Sequence, residues 1–170
     1  MNDEGLTVRR MWEEDLDEVM AVERESFSSP WTMDMYLREI RKAEGCYLVA
    51  RKGEELAGYC GALIILDEAH VMTLAVRGDL RRRGIAARLM LELIEHTEGM
   101  GARFLTLEVR KSNRAAIELY ASFGFQIMGE RKNYYLDNME NAYIMWTDDI
   151  TSPPYRERLQ ALRKRYAYAG

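Results

Sequence analysis

The sequence is poor in cysteine and has no long apolar run, and each shortage excludes a class of protein. Its two cysteines, Cys46 and Cys60, have neither the number nor the spacing of a disulfide framework or a zinc site. Both lie in apolar, strand-like runs, which predicts free, buried thiols in a reducing compartment. No apolar run approaches the ~20 residues that a membrane span needs, and the acidic, polar N-terminus fits no signal peptide. We therefore expect a cytoplasmic protein without membrane association.

The length predicts a single domain, and the charges are unevenly distributed between an acidic body and a basic C-terminal segment. A chain of 170 residues, 48% hydrophobic and 31% charged, suits a single globular domain. Residues 151–170 carry a net charge of +4 within a total of −4, so the preceding 150 residues carry −8. An acidic body argues against nucleic acid as the main ligand and favours a cationic partner. The prolines at 153 and 154 separate a domain of residues 1–150 from a basic helical extension, 151–170.

Strand and helix patterns alternate along the chain. Strands are predicted at 6–10, 46–51, 56–66, 71–76, 104–110, 125–129 and 143–146, the last two flanking a polar loop at 131–142. Helices are predicted at 13–26, after an N-cap at Thr32, after the arginine-rich turn to about 98, at 112–123 and at 155–168. This order predicts an α/β protein with a mixed sheet and helices on both faces.

A basic turn between a strand and an amphipathic helix is the central feature. The strand pattern ends at Val76, and the helical pattern places three arginines, residues 81–83, and Gly84 in the first helical turn. Cations are unfavourable at that end of the helix dipole, and a helical glycine costs roughly 1 kcal/mol relative to alanine. An anion bound by the free N–H groups and the arginines explains both features. The alternative is a solvated basic turn. Neither Gly-x-x-x-x-Gly-Lys-Ser/Thr nor Gly-x-Gly-x-x-Gly occurs there.

A polar face runs along the strand predicted at 104–110. Alternation places its apolar residues on one face and Thr106, Glu108 and Arg110 on the other. A central strand between two helical layers is normally apolar on both faces, so this polar face indicates a cleft. The alternatives are a solvated edge strand, or a pair between Glu108 and Arg110.

Three further residues each have two interpretations. Tyr120 lies about two helical turns after Asn113 on the same face, roughly 10 Å away, in a helix capped by Ser112; it serves either the core or a site. Trp31, on a loop between helices, is either a packed lid or part of a binding mouth. Glu23 interrupts the apolar stripe of the first helix. It either pairs with a buried arginine, the interpretation we favour, or faces a substrate ammonium.

The motifs around these residues resemble one enzyme superfamily. Arg81-x-x-Gly84-x-Ala86 is similar to the pyrophosphate-binding motif, Gln/Arg-x-x-Gly-x-Gly/Ala, of the GCN5-related N-acetyltransferases, the GNAT superfamily. The run from Leu107 to Phe125 resembles the second half of its RimI-type members, the N-terminal acetyltransferases of ribosomal protein. Further matches are Ser29-Pro30-Trp31, Leu74-Ala75-Val76 and Lys132-Asn133-Tyr134-Tyr135. The resemblance covers about residues 6–147.

The resemblance implies a GNAT fold, whose central sheet is mixed and mostly antiparallel with helices on both faces. It implies transfer of an acetyl group from acetyl-CoA, without a metal, to the N-terminal α-amino group of a protein, with a ribosomal protein as the expected substrate. We also expect a monomer or weak dimer and, because the body of the chain is acidic, no direct binding of nucleic acid. Two other functions remain open, namely acetylation of a small amine or lysine side chain and a non-catalytic acetyl-CoA-binding regulatory domain.

The resemblance also assigns site residues. Glu108 is implied as the general base and Tyr120 as the acid that protonates the leaving thiolate. The residues implied to bind the cofactor are Leu74, Ala75, Val76, Arg81, Arg82, Arg83, Gly84, Ile85, Ala86, Ala87, Asn113 and Tyr120. Those implied to line the peptide mouth are Trp31, Tyr134 and Tyr135. The chain departs from the family in carrying Glu140-Asn141-Ala142 where Glu-Asp-Ala is frequent, and in its residues 151–170, which extend beyond the usual end.

Overall fold

The computed structural model describes residues 5–167, so residues 1–4 and the predicted helix end at 168 lie outside the described part. The strands are β1 (Leu6–Arg10), β2 (Gly45–Lys52), β3 (Glu55–Ile65), β4 (Glu68–Val76), β5 (Phe104–Arg110), β6 (Gln126–Tyr135) and β7 (Glu140–Trp146). The helices are α1 (Leu16–Ser26), α2 (Met33–Ile40), α3 (Ile85–Gly99), α4 (Arg114–Ser122) and α5 (Pro153–Ala167). Short 3₁₀ turns at Glu13–Asp15 and Gly78–Leu80 precede α1 and α3.

The strands form one sheet in the order β1-β2-β3-β4-β5-β7-β6. Of the strand pairs described, β4 and β5 are parallel and the others are antiparallel. The parallel pair needs a crossover, and α3 provides it between the end of β4 and the start of β5. The predicted mixed, mostly antiparallel sheet is confirmed.

Helices cover both faces because the strands alternate apolar side chains between two cores. In β2, Leu48 packs in the larger core with α3, whereas Val49 packs in the smaller core with α1 and α2. The larger core also contains the buried residues of α4 and α5, and the smaller one is rich in tyrosine. Cys46 and Cys60 are buried free thiols, as predicted.

The predictions for the cap of α4 and for the segment between β6 and β7 were wrong. Asn113, rather than Ser112, caps α4, because its side-chain oxygen accepts the N–H of Ala116 at 3.2 Å. The polar stretch predicted as a loop at 131–142 is mostly strand, since β6 continues to Tyr135 and β7 begins at Glu140. Asn133 adopts a left-handed conformation, φ 52°, and its N–H donates to Asn141 Oδ1 at 2.9 Å. This irregularity lets a polar ribbon continue without regular pairing.

The basic extension forms α5, which packs on the larger core. Its apolar face is buried through Tyr155, Leu159 and Leu162. The Tyr155 hydroxyl donates to the carbonyl oxygen of Phe123 at 2.6 Å. The division of the chain at residue 150 stays a prediction. No helix within residues 5–167 is both long and apolar enough to cross a bilayer.

Candidate active site

The centre of the sheet opens where β4 and β5 separate. Their parallel pairing extends from Glu68–Phe104 only to His70–Thr106, although β4 continues to Val76 and β5 to Arg110. A bulge in β4, between Val71 and Thr73, coincides with this separation. Bulges bend a strand and re-aim it. The result is a notch between the carboxyl ends of two parallel strands, a common place for ligand sites in α/β proteins.

The notch is open to both faces of the sheet, and the side chains of β5 beside it alternate between these faces. Leu105, Leu107 and Val109 of β5 lie in the larger core, together with Tyr120 of α4. Alternation therefore places Glu108 on the opposite face, which α1 and α2 cover. The notch thus connects the face that carries α3 and α4 with the face that carries Glu108.

The helix after the basic turn begins one residue after Gly84, later than was predicted. Gly84 is the N-cap of α3 rather than a helical residue, and its φ of 78° is left-handed. Arg82 is also left-handed, with φ 63°, which is uncommon for a residue with a side chain. The structure thus explains this glycine by its backbone conformation, because an L-residue there costs roughly 1–2 kcal/mol. Backbone segments that contain left-handed residues form concavities of N–H groups that bind anions.

The N-terminus of α3 has free donors and positive charge. Gly84 has no side chain to cap the helix, and the first turn contains no acidic residue. The N–H groups of Ile85, Ala86 and Ala87 have no intrahelical acceptor, because they belong to the first turn. The three arginines that precede Gly84 are exposed, and Arg81 Nε donates to the carbonyl oxygen of Val76 at 3.2 Å. These features suit a pyrophosphate, whose oxygens would accept from the free N–H groups.

The strand leading to this turn has a side that faces the notch. Leu74, Ala75 and Val76 pair with Cys60, Tyr59 and Gly58 of β3. Beyond His70, β5 does not occupy the other side of β4. An extended arm with amide groups can pair with such an edge as an added strand does.

Glu108 lies on a central strand and contacts a cation from β6. Its strand, β5, has β4 on one side and β7 on the other, so the edge-strand alternative is wrong. Arg110 does not pair with it, because Arg110 binds Asp137 at 2.8 Å and Glu140 at 3.3 Å. Arg131 Nε lies instead 3.3 Å from Glu108 Oε1. The Glu108 side chain is 30% exposed, so its carboxylate is accessible from solvent even though it pairs with Arg131.

Tyr120 belongs to both the core and the site. It is 9% exposed, and its ring packs against Phe125 with a centroid separation of 5.7 Å. Burial, with smaller contributions from Tyr135 and Cys60, raises the pKa of the Tyr120 phenol well above its usual value. The phenol is therefore protonated at neutral pH, as a proton donor must be. Asn113 lies at the start of the same helix, with its side-chain oxygen engaged in the cap.

Two tyrosines of β6 lie beside Glu108. Tyr134 and Tyr135 pack edge-to-face at 5.1 Å, and the Arg110 guanidinium lies 3.9 Å from the centre of the Tyr135 ring. Burial raises the pKa of Tyr134, and the charge of Glu108 raises it further. Burial raises the pKa of Tyr135 to about 12, with Tyr134 and Glu108 contributing in the same direction. Tyr134 is 44% exposed and is thus accessible to a ligand.

Trp31 is packed against Tyr36 and lies on a loop that contacts the β6–β7 turn. Its ring lies 5.0 Å from that of Tyr36, centre to centre. In the same α1–α2 loop, Ser28 Oγ donates to Asp137 at 2.6 Å, and Asp137 also accepts from Arg110 at 2.8 Å. The loop that carries Trp31 is thereby tied to the β6–β7 turn, so the two segments border one mouth.

Glu23 is buried, and its partners are hydroxyl and backbone donors rather than the arginine that was predicted. Its carboxylate accepts the N–H of Trp31 at 3.0 Å and the hydroxyl of Tyr36 at 2.7 Å. The Tyr59 hydroxyl donates to the same carboxylate. Three donors from separate elements thus satisfy one buried charge. The sequence did not identify these donors as the partners of Glu23, nor Arg131 and Asp137 as partners of site residues, because such contacts depend on long-range packing.

Comparison with known proteins identifies the family. The profile of the acetyltransferase (GNAT) family matches residues 16–125, which extend from the start of α1 to the residue before β6. The chain belongs to the acetyltransferase (GNAT) family. The predicted enzyme class, an N-acetyltransferase that uses acetyl-CoA, is confirmed.

Two relatives and one solved structure place the chain within that family. A Bacillus subtilis protein, provisionally named [ribosomal protein bS18]-alanine N-acetyltransferase, is 44% identical over 140 residues, 82% of this chain and 93% of the relative. The Escherichia coli K12 [ribosomal protein bS18]-alanine N-acetyltransferase is 33% identical over 141 residues, 82% and 95% of the two chains. The crystal structure of the E. coli ribosomal-protein-S18-alanine N-acetyltransferase superposes with a TM-score of 0.77 and 31% identity, covering 84% of this chain and 92% of that one. The predicted RimI-type resemblance and GNAT fold are confirmed, whereas the roles of individual residues stay predictions.

Proposed function

We propose that this GNAT enzyme acetylates the N-terminal α-amino group of a ribosomal protein, and specifically the N-terminal alanine of its bS18, in the cytoplasm. The names of the two relatives support this substrate, because the chain covers more than nine-tenths of each relative. The observation that carries the proposal is the notch, which joins an anion-binding turn on one face of the sheet to Glu108 on the other.

Glu108 acts as the general base. An N-terminal amine has a pKa of ~7.7–8, so most of it is protonated at neutral pH and must lose a proton before it attacks. The carboxylate of Glu108 accepts this proton, directly or through one water molecule. An acidic body with a net charge of −8 over residues 1–150 also favours the approach of an ammonium group.

The turn before α3 and the free side of β4 hold acetyl-CoA. The N–H groups of residues 82–87 and the arginines at 81–83 bind the pyrophosphate, and Gly84 allows its close approach. Leu74, Ala75 and Val76 pair with the pantetheine arm, and Asn113 binds further along it. Acetyl-CoA supplies an acetyl group activated as a thioester. The residues present fit this ligand, because α3 begins without a side-chain cap or an acidic first turn.

Tyr120 acts as the general acid. Glu108 passes the first proton to solvent. When the amine nitrogen has bonded to the acetyl carbon, it releases its second excess proton to the same carboxylate or to water, the carbon–sulfur bond breaks, and the leaving thiolate needs a proton. The buried phenol of Tyr120 retains its proton at neutral pH and lies in the core on the cofactor face. It donates this proton to the thiolate, which prevents the reverse attack.

The peptide enters through the mouth bordered by Trp31, Tyr134 and Tyr135. The link from Ser28 to Asp137 holds the two segments of the mouth together.

Purified enzyme and acetyl-CoA should be incubated with four substrates, and the products analysed by mass spectrometry. These are a bS18 peptide with a free N-terminal alanine, the same peptide with a blocked N-terminus, a lysine peptide and a polyamine. We expect acetylation of the first peptide alone, at its α-amino group. Faster acetylation of the polyamine or of a lysine side chain would contradict the proposal.

A further inference from the structure

The last turn of α5 lies against the turn that precedes α3. Arg156, near the start of α5, pairs with Glu98 at the C-terminal end of α3, and Arg163, in the second half of α5, pairs with Glu95. At its end, Tyr166 reaches Gly84 at the beginning of α3. The helix therefore crosses α3 from its C-terminal towards its N-terminal end, and its buried face holds it there.

Tyr166 is in contact with the proposed pyrophosphate turn. A Cβ atom built on Gly84 would lie 3.3 Å from Cδ1 of the Tyr166 ring. The ring is partly buried and packs against the larger core. The ring thus lies beside Gly84, on the face of the sheet where the proposed function places the cofactor.

A cation accompanies this ring. The guanidinium of Arg165 lies 5.4 Å from the centre of the Tyr166 ring, and the Arg165 side chain is exposed. The dipole of α5 favours a cation in its last turn. It does not explain why this turn ends against Gly84, which directly follows the arginines at 81–83. An anion bound at this end of α3 would interact favourably with the cations that both segments carry.

We propose that Arg165 and Tyr166 form a subsite for the 3′-phosphorylated adenosine of the cofactor. Beyond its pyrophosphate, CoA carries a flat purine, which suits an aromatic ring, and a phosphomonoester, which suits a guanidinium. This inference rests on the proposed function, because it requires the pyrophosphate to lie at Gly84. It gives the extension a role in cofactor affinity, outside the matched family span of residues 16–125.

The test compares the binding of CoA and 3′-dephospho-CoA by titration calorimetry. We expect the unmodified enzyme to bind CoA roughly 10-fold more tightly, as one charge-assisted contact provides. Arg165→Gln should remove most of this preference by weakening CoA binding. Tyr166→Leu should weaken the binding of both ligands to a similar extent, because both contain the purine.

Lys164→Gln is the matched control, because Lys164 is exposed in the same turn and two residues from Tyr166, so it projects from the other side of the helix. It should preserve the preference. An unmodified enzyme without any preference, a preference unchanged by Arg165→Gln, or an equal loss in Lys164→Gln would each overturn the inference. If Gly84→Val weakens the binding of both ligands while Arg165→Gln changes the affinity for neither, the inference fails and the proposed pyrophosphate turn stands. If Gly84→Val changes the affinity for neither ligand, the proposal that this turn binds the pyrophosphate is itself wrong.

Discussion

Arg131 and Glu108 form an ion pair across the proposed peptide site, with Arg131 Nε 3.3 Å from Glu108 Oε1. A substrate ammonium would bring a second cation to the same carboxylate. Arg131 is 55% exposed, so the pair contributes only about 0–1 kcal/mol to stability. If Glu108 receives the substrate ammonium as proposed, we expect Arg131 to compete with the substrate more than it stabilises the fold.

We expect Arg131→Gln to lower the peptide KM by about two- to fivefold, the equivalent of a weak surface pair, with an unchanged melting temperature. Steady-state kinetics with a bS18 peptide measures this effect. Lys111→Gln is the control, because it breaks a similar exposed pair, with Glu130 at 3.0 Å. An increase in peptide KM for Arg131→Gln would show that the arginine assists binding instead.

Gly84→Val should raise the KM for acetyl-CoA by at least about 10-fold. Valine disfavours the left-handed φ of 78° by roughly 1–2 kcal/mol, and its side chain would crowd both Tyr166 and the pyrophosphate. Gly99→Val is the control, since Gly99 ends the same helix in open space and without a positive φ. A folded Gly84→Val enzyme with normal cofactor affinity would argue against the anion-binding turn.

Glu23→Gln should lower the free energy of unfolding by about 1–3 kcal/mol, because it weakens three hydrogen bonds to a buried carboxylate. The KM values for peptide and acetyl-CoA should stay within about twofold, as for a residue that contacts neither substrate. Chemical denaturation and kinetics measure the two effects, with the exposed Glu14→Gln as the control. Normal stability combined with a higher peptide KM would place Glu23 in the substrate site.

Asp15 should make stability depend on pH in the acid range. Although burial opposes it, hydrogen bonds from Arg9 and Trp12, with the charge of Arg51, hold the pKa of Asp15 below its usual value. A lowered pKa means that the ionised group stabilises the fold above the unfolded pKa of ~3.9, and that this contribution is lost as the pH falls through the folded pKa.

Asp15→Asn should therefore cost about 1–3 kcal/mol at pH 7, and its difference from the unmodified enzyme should shrink steadily below about pH 4. Urea denaturation between pH 2 and 7 measures both values. Asp17→Asn, at an exposed site, should be neutral throughout. A constant difference across this range would show that the effect of Asp15 is not electrostatic.

The elements of the fold were predictable from local patterns, because alternation and helical periodicity depend on neighbouring residues. The strands at 6–10 and 104–110 end where they were predicted. Gly84 was wrongly placed inside α3, since a periodic pattern contains no information about the sign of φ. The polar ribbon of β6 and β7 was missed for a similar reason, as Asn133 and Asn141 meet only after the strands pair.

The candidate site was predictable in its residues but not in its contacts. Glu108 was identified because a polar face on a central strand is unusual, and the family motif supplied its role. Its partner Arg131 lies on another strand, and the register of β5, β7 and β6 decides their meeting. Likewise, the pattern of α5 predicted a buried face but not the helix against which it packs.

The central claim concerns proton transfer, with Glu108 as base and Tyr120 as acid. Glu108→Gln should lower kcat, and a higher pH should partly restore it by deprotonating the amine, whose pKa is ~7.7–8. In a double variant, Glu108→Gln with Tyr120→Phe, the loss of kcat should be smaller than the product of the two single losses if both residues serve one step. Tyr47→Phe, which removes the hydroxyl of another buried tyrosine, should have a normal kcat.

The most direct measurement is the kcat of Tyr120→Phe for a bS18 peptide at saturating acetyl-CoA. The ring still packs against Phe125, so the cofactor KM should change little while only the proton is lost. We predict a decrease of roughly 10²–10⁴-fold, as for removal of a positioned general acid. A kcat within about threefold of the unmodified enzyme would contradict the account and show that Tyr120 only packs the core.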